Sequence, residues 1–204
     1  MTIILDMGGV LMQHNMPECI HRFCDILGEE GMVNILGMKA NAEGLPDSLM
    51  ERFECGLVST EEFIQTIQKY AKEGTTEQRI IDAWNTMHAG IPQERIHQIT
   101  RWKGKGHRLI LLSNNNALHW EDIHQHYNMS IFDQCFASHI VHCNKPNKTI
   151  YEIVQQYLLD NHYERPFHFV DDLAANRLMG ESFGWNTYSC LDELEQQIIQ
   201  NKHS

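Results

Sequence analysis

An apolar run that halts on a carboxylate constrains this chain more than any other feature. Thr2-Ile3-Ile4-Leu5 carries no charge and stops at Asp6, after which Met7-Gly8-Gly9-Val10 supplies a tight turn. A short run of this kind forms a strand buried on both faces, as in the middle of a parallel sheet. Arg108-Leu109-Ile110-Leu111-Leu112 repeats the pattern and ends at Ser113. Residues 135–138 (Cys-Phe-Ala-Ser) read as a third, weaker strand. Phe167-His168-Phe169-Val170 reads as a fourth ending at Asp171, and Asn186-Thr187-Tyr188 as a short fifth. Helical segments at 92–104, 117–127, 148–159, 173–183 and 191–201 alternate with these strands. That alternation implies βαβ units, so the expected fold class is α/β: a three-layer, Rossmann-like parallel sheet.

The stretch from 15 to 88 breaks the alternation. Ile20, Phe23, Cys24 and Leu27 recur at helical spacing, as do Phe63, Ile64 and Ile67, with no convincing strand between them. Ser59-Thr60-Glu61-Glu62 has the form of a capping box ahead of the second stripe. Such apolar stripes are ordinary core positions. As a unit, a block of helices inserted after the first strand suits a lid beside the strand ends. The expected division is an α/β core of residues 1–14 and 89–204, with a helical cap of residues 15–88.

Composition narrows the partners. The formal net charge is −11, from 16 basic and 27 acidic residues. That surface repels the phosphate backbone of nucleic acid and anionic headgroups. It leaves room for a small anionic substrate, because focused donors in a pocket outweigh screened surface charge. The six cysteines form no C-x-x-C pair and read as free thiols. The apolar start is too short for a signal-peptide core, and no stretch of 18 apolar residues is long enough to span a membrane. A cytoplasmic protein is expected.

Four polar features fall at the carboxyl ends of strands or in the loops beside them, where open α/β sheets place their ligand sites. They are Asp6, Ser113, Lys145 and the pair Asp171-Asp172. Singly each has a plain explanation: a turn opener, a helix cap, an exposed loop lysine, another cap. Together they meet the needs of an aspartate attacking a phosphate ester. A divalent cation held by carboxylates from both ends of the chain lowers the repulsion between nucleophile and phosphate. A lysine holds the nucleophile ionised, and a hydroxyl with nearby N–H groups grips the transferring oxygens.

These residues carry a family resemblance over nearly the whole chain. Residues 3–11, Ile-Ile-Leu-Asp-Met-Gly-Gly-Val-Leu, resemble motif one of the haloacid dehalogenase (HAD) superfamily. Leu111-Leu112-Ser113-Asn114 resembles motif two, and Asn144-Lys145-Pro146-Asn147 with Ile150-Tyr151 resembles motif three. Residues 169–176, Phe-Val-Asp-Asp-Leu-Ala-Ala-Asn, resemble motif four. Gly184-Trp185 and the stretch from Gly56 to Phe63 are similar to the subgroup whose helical cap follows motif one. The resemblance implies that Asp6 is the nucleophile, forming an aspartyl intermediate, and that Mg²⁺ is held by Asp6, the Gly8 carbonyl and Asp172. It places Asp171 and Asn176 in support of that site. Ser113 and the Asn114 backbone would hold phosphate oxygens, and Lys145 would pair with Asp6.

Position 8 departs from the pattern. HAD phosphatases carry a second aspartate two residues after the nucleophile, which protonates the leaving alkoxide and later activates water. Gly8 has no side chain, and losing a positioned acid–base costs roughly 10²–10⁴-fold in rate. His14 or His119 is the candidate substitute. Three readings stay open. The leading one is a Mg²⁺-dependent phosphatase of a small phosphorylated metabolite, slowed or restricted to good leaving groups. The second is a non-catalytic HAD-fold protein binding a ligand or partner. The third is a 2-haloacid dehalogenase, which needs neither metal nor leaving-group acid. No G-x-x-x-x-G-K-[ST] loop or G-x-G-x-x-G fingerprint is present, and the acidic residues run in the reverse order to a response-regulator receiver. His139, His142 and Cys143 match no zinc-site spacing.

Overall fold

The computed structural model describes residues 1–35 and 48–200. Strands β1 (Thr2–Leu5), β2 (Arg108–Ser113), β3 (Gln134–Ala137), β4 (Phe167–Val170) and β5 (Asn186–Tyr188) form one sheet in the order β3-β2-β1-β4-β5, and every pairing is parallel. The uncharged run at the amino terminus therefore occupies the centre, where both faces are covered. Alternate residues of the strands serve opposite faces, as the period of two requires. Ile3, Leu5, Leu109 and Leu111 pack against Ile99 and Trp102 of α5 (Gln93–Gly104), Ile123 of α6 (Ala117–His126) and Leu194 and Ile198 of α10 (Leu191–Gln200). Ile4, Ile110, Leu112 and Phe169 pack against Tyr151, Val154 and Leu158 of α8 (Lys148–Asp160), with Trp185 and Phe183 behind α9 (Ala174–Ser182). These are the three layers that the alternation predicts.

Ser138 is a correction to the expected third strand. It opens the short helix α7 (Ser138–Val141) instead of ending β3, and its hydroxyl accepts the Asn115 N–H at 2.8 Å. The helical stretch before β2 contains α1 (Met16–Ile35, interrupted at Gly28), α2 (Leu49–Glu54), α3 (Thr60–Gln68) and α4 (Glu77–Asn85). The capping box is formed: Ser59 Oγ accepts the Glu62 N–H and the Glu62 carboxylate accepts the Ser59 N–H. Two of these helices, α2 and α4, carry no stripe that the sequence reading singled out. Helix α2 has only six residues, too few for a period to show.

These helices have a core of their own. Phe23, Phe53, Phe63, Ile67 and Ile80 surround Trp84, with Phe53 stacked on Phe63 at 4.2 Å and Phe63 edge-on to Trp84 at 4.9 Å. Trp84 also joins this cluster to the sheet layer: its indole N–H donates to Asn116 Oδ1 at 3.2 Å, and its ring stacks on His119 at 5.1 Å. The chain enters and leaves the helices side by side. Gln13 N–H donates to Gly90 O at 3.0 Å, Ala89 N–H to Gln13 O at 2.9 Å and Asn15 N–H to Met87 O at 2.8 Å, a two-stranded ribbon. Replacing Trp84 with Ala should lower stability by about 3–5 kcal/mol, the cost of emptying an aromatic site in a packed core. Urea unfolding of wild type and variant measures it.

Candidate active site

Strand register builds the site. Leu5 lies level with Leu111 on one side and Val170 on the other. The residues that follow, Asp6 and Asp171, therefore stand side by side at the spacing of neighbouring strands, about 4.8 Å. Asp6 N–H still donates to Val170 O at 2.9 Å, which holds the first residue past the strand in line. Lys145 arrives from the loop before α8, and its ammonium group lies 2.9 Å from Asp6 Oδ1 and 2.6 Å from Asp171 Oδ2. Its side chain is 1% exposed and that of Asp171 0%.

Two buried carboxylates thus share one buried cation. Burial pushes the Asp6 carboxyl up to about 7, against the pull of Lys145, and Asp171 adds to the rise. The two acids differ in their hydrogen bonds. Asp171 is saturated: Lys145 donates to it, Asn176 Nδ2 reaches both oxygens at 3.0 Å, and Leu173 N–H donates at 2.9 Å. It anchors the lysine. Asp6 Oδ1 accepts the Met7 N–H at 2.7 Å as well as the lysine, while no described residue donates to its other oxygen. The Asp172 carboxylate is exposed and stands against the backbone of Gly9. A Cβ at Gly9, whose φ is 70°, would lie 2.3 Å from Asp172 Oδ2, so only glycine suits that turn.

Asp6, Asp171 and Asp172 each offer a carboxylate oxygen, all within 4.8 Å of one another. Asp6 and Asp172 keep unengaged oxygens, and no hydrogen bond from a described residue is made to the Gly8 carbonyl. An all-oxygen donor set with excess negative charge suits a hard divalent cation. Ser113 is buried at the end of β2 and does not cap α6; Asn116 does, accepting the His119 N–H at 3.1 Å. The Asn114 side chain ties this strand end to the lysine loop, with Oδ1 accepting Lys145 N–H at 2.7 Å and Nδ2 donating to Lys145 O at 2.9 Å. Asn176 gives its amide N–H groups to Asp171 and also lines the cavity beside Asp6 and Asp172.

The two candidate histidines part company. His119 is buried, with Nδ1 3.1 Å from Asn116 Nδ2 and Nε2 3.0 Å from Trp84 O. An N–H at Nε2 satisfies both contacts and makes the ring neutral. Burial pushes its pKa down to about 3, with His88 adding to the fall. His119 is a core residue with no proton to give. His14, on the ribbon, is exposed and points at the vacancy of position 8: a Cβ built on Gly8 would lie 2.2 Å from its Nε2. The imidazole takes the room that a side chain at position 8 would need.

Asp6, Gly8, His14, Ser113, Lys145 and Asp172 border one cavity of about 300 Å³, which also reaches Asn176, His119 and, from the helical segment, Met16, Glu54, Met87 and His88. Sequence reasoning missed Glu54, whose neighbours along the chain give no hint of it. It also missed Asn116, although Asn116-Ala117-Leu118-His119 carries a helix-cap signal. His139 and His142 serve as tethers, their Nδ1 atoms lying 3.2 Å from Asn115 O and from Cys55 O respectively. Removing the shared cation should be costly. Lys145→Ala should destabilise the metal-free protein by about 3–5 kcal/mol, and hence lower Tm by roughly 6–20 °C. Calorimetry in EDTA checks this.

No family model and no curated protein sequence matches the chain. Solved structures do. A predicted HAD-like family hydrolase from Porphyromonas gingivalis is 28% identical, with a TM-score of 0.74 over 92% of this chain and 89% of that one. A HAD family enzyme from Bacteroides thetaiotaomicron, solved with magnesium and inorganic phosphate, is 24% identical, with a TM-score of 0.75 over 92% of both chains. A 2-haloacid dehalogenase from Pseudomonas syringae is more distant, at 14% identity and a TM-score of 0.57 over 91% of this chain and 84% of that one. The strand order, the strand-end acids and these likenesses agree: the chain has the fold of the haloacid dehalogenase superfamily.

Proposed function

We propose that the protein is a divalent-cation-dependent phosphatase of small phosphate monoesters, with Asp6 as nucleophile and residues 15–88 as a cap over the site. The observation that carries this reading is the pairing of Asp6 with Lys145 beside the unengaged Asp172 carboxylate. The Mg²⁺ and phosphate bound by the Bacteroides enzyme support the same ligands here. When bound, the cation supplies charge neutralisation between the carboxylates and the phosphoryl oxygens. Asp6, the Gly8 carbonyl and Asp172 would hold it, with Asp171 and Asn176 supporting from behind.

In this reading Asp6 Oδ2, to which no described residue donates, attacks phosphorus as the bond to the leaving oxygen breaks. Lys145 opposes the effect of burial and favours the ionised Asp6, and Asp171 keeps Lys145 in place. Ser113 and the Asn114 N–H grip the phosphoryl oxygens. The leaving oxygen needs a proton that Gly8 cannot give. His14 stands in the vacancy, and the reading assigns it that role: Nε2–H protonates the leaving alkoxide, then takes a proton from the water that cleaves the aspartyl phosphate. Both linkers that bear on the cavity, at His14 and Met87–His88, belong to the ribbon, so cap placement and proton supply are coupled.

The direct test is phosphate release from phenyl phosphate with Mg²⁺ and with EDTA, beside halide release from a 2-haloacid. Mg²⁺-dependent phosphate release that Asp6→Asn abolishes is the expected outcome. Metal-free halide release favours the dehalogenase chemistry instead, and neither product favours a binding protein. His14→Ala should slow alkyl phosphates by about 10²–10⁴-fold and activated aryl phosphates far less, because a good leaving group needs no acid. An equal loss on both classes sinks the His14 assignment.

A further inference from the structure

Glu54 has no part in that mechanism, yet it lines the same cavity as Asp6 and Lys145. It ends α2, and its backbone is clamped to the sheet layer. Ser138 Oγ lies 2.6 Å from Glu54 O, and His142 Nδ1 lies 3.2 Å from Cys55 O. Gly56, with φ at 64°, sits so close that a Cβ would fall 2.2 Å from His139 O. All three contacts come from α7 and the residue after it, in the segment leading to the Lys145 loop. The position of Glu54 over the site is therefore set by the same segment that delivers the lysine.

Its side chain has no partner to match. No described residue donates a hydrogen bond to the carboxylate or forms an ion pair with it. Burial raises its pKa to about 7, and the like charge of Glu51 adds to the rise. Lys145, the sole lysine or arginine among the described residues lining the cavity, is already taken by Asp6 and Asp171. The other contributions of the helical segment, Met16, Met87 and His88, include no second carboxylate. A half-buried acceptor without a donor from the protein is unfavourable unless something supplies one.

We infer that Glu54 receives a hydrogen-bond donor on the leaving group, so that the substrate is a small phosphate monoester whose alcohol portion carries a hydroxyl or ammonium group. A cavity of about 300 Å³ is at the small end of ligand sites, which fits a phosphorylated polyol or amino alcohol better than a nucleotide. This inference rests on the phosphatase reading.

The test compares kcat/KM for phenyl phosphate, glycerol phosphate and phosphoethanolamine in wild type, Glu54→Ala and Glu54→Gln, with Mg²⁺ present. For Glu54→Ala, the ratio of the donor-bearing ester to phenyl phosphate should fall about 10- to 100-fold, the worth of a hydrogen bond to a charged acceptor. Glu54→Gln, nearly the same shape, should keep the ratio for a hydroxyl ester and lose it for an ammonium ester, which identifies the donor and guards against misfolding of the alanine variant. Unchanged ratios in both variants overturn the inference, as does a wild type that turns over phenyl phosphate alone. If the wild type releases no phosphate from any of the three, the phosphatase reading itself fails and takes this inference with it.

Discussion

One ammonium group between two carboxylates underlies everything else at this site. Asp6 and Asp171 end adjacent strands and would repel each other in a region from which water is excluded. Lys145 reconciles them at 2.9 and 2.6 Å. Buried charges of this kind persist only when paired and hydrogen-bonded, and the surrounding structure serves that need. Asn176 and the Leu173 N–H complete the coordination of Asp171, and the Asn114 amide grips the Lys145 backbone from both sides. The arrangement still carries one negative charge too many, which is what leaves Asp6 and Asp172 suited to a divalent cation.

The missing side chain at position 8 changes what stands beside the turn after β1. Glycine makes the turn after β1 narrow enough for a ring from the ribbon to enter. His14 pairs across that ribbon with His88, whose Nδ1 lies 3.6 Å from Asp122 and whose ring lies 4.0 Å from His119. All three line the cavity, but only His14 is exposed and stands against Gly8. The others are held neutral by burial, with pKa values pushed down to about 4 for His88 and about 3 for His119, and they support the junction between helices and sheet. A linker residue thus stands where a side chain of the turn would otherwise lie.

The parallel core was legible because its signals are local. A strand buried on both faces must be apolar throughout, and a ligand site at strand ends must begin where that run breaks. Asp6, Ser113 and Asp171 could be read from those breaks alone. Lys145 is legible only in company with those acids, since a lysine before a proline is by itself an ordinary loop feature. Ser138 was assigned to a strand because a short strand and the first turn of a helix present the same four residues to a period count. The choice was made by the Asn115 N–H and the Glu54 carbonyl, which lie far away in sequence.

What the sequence determined by itself is the sheet, its helical interruption and the set of strand-end acids, because burial periodicity and chain breaks are written residue by residue. Tertiary structure alone decided that His14 and not His119 faces Gly8, that Asp171 anchors the lysine while Asp172 stays open, and that Glu54 overlooks the cavity. Each of those outcomes turns on which atoms meet across segments of unrelated pattern. Distances of that kind are properties of packing, and no spacing along the chain encodes them.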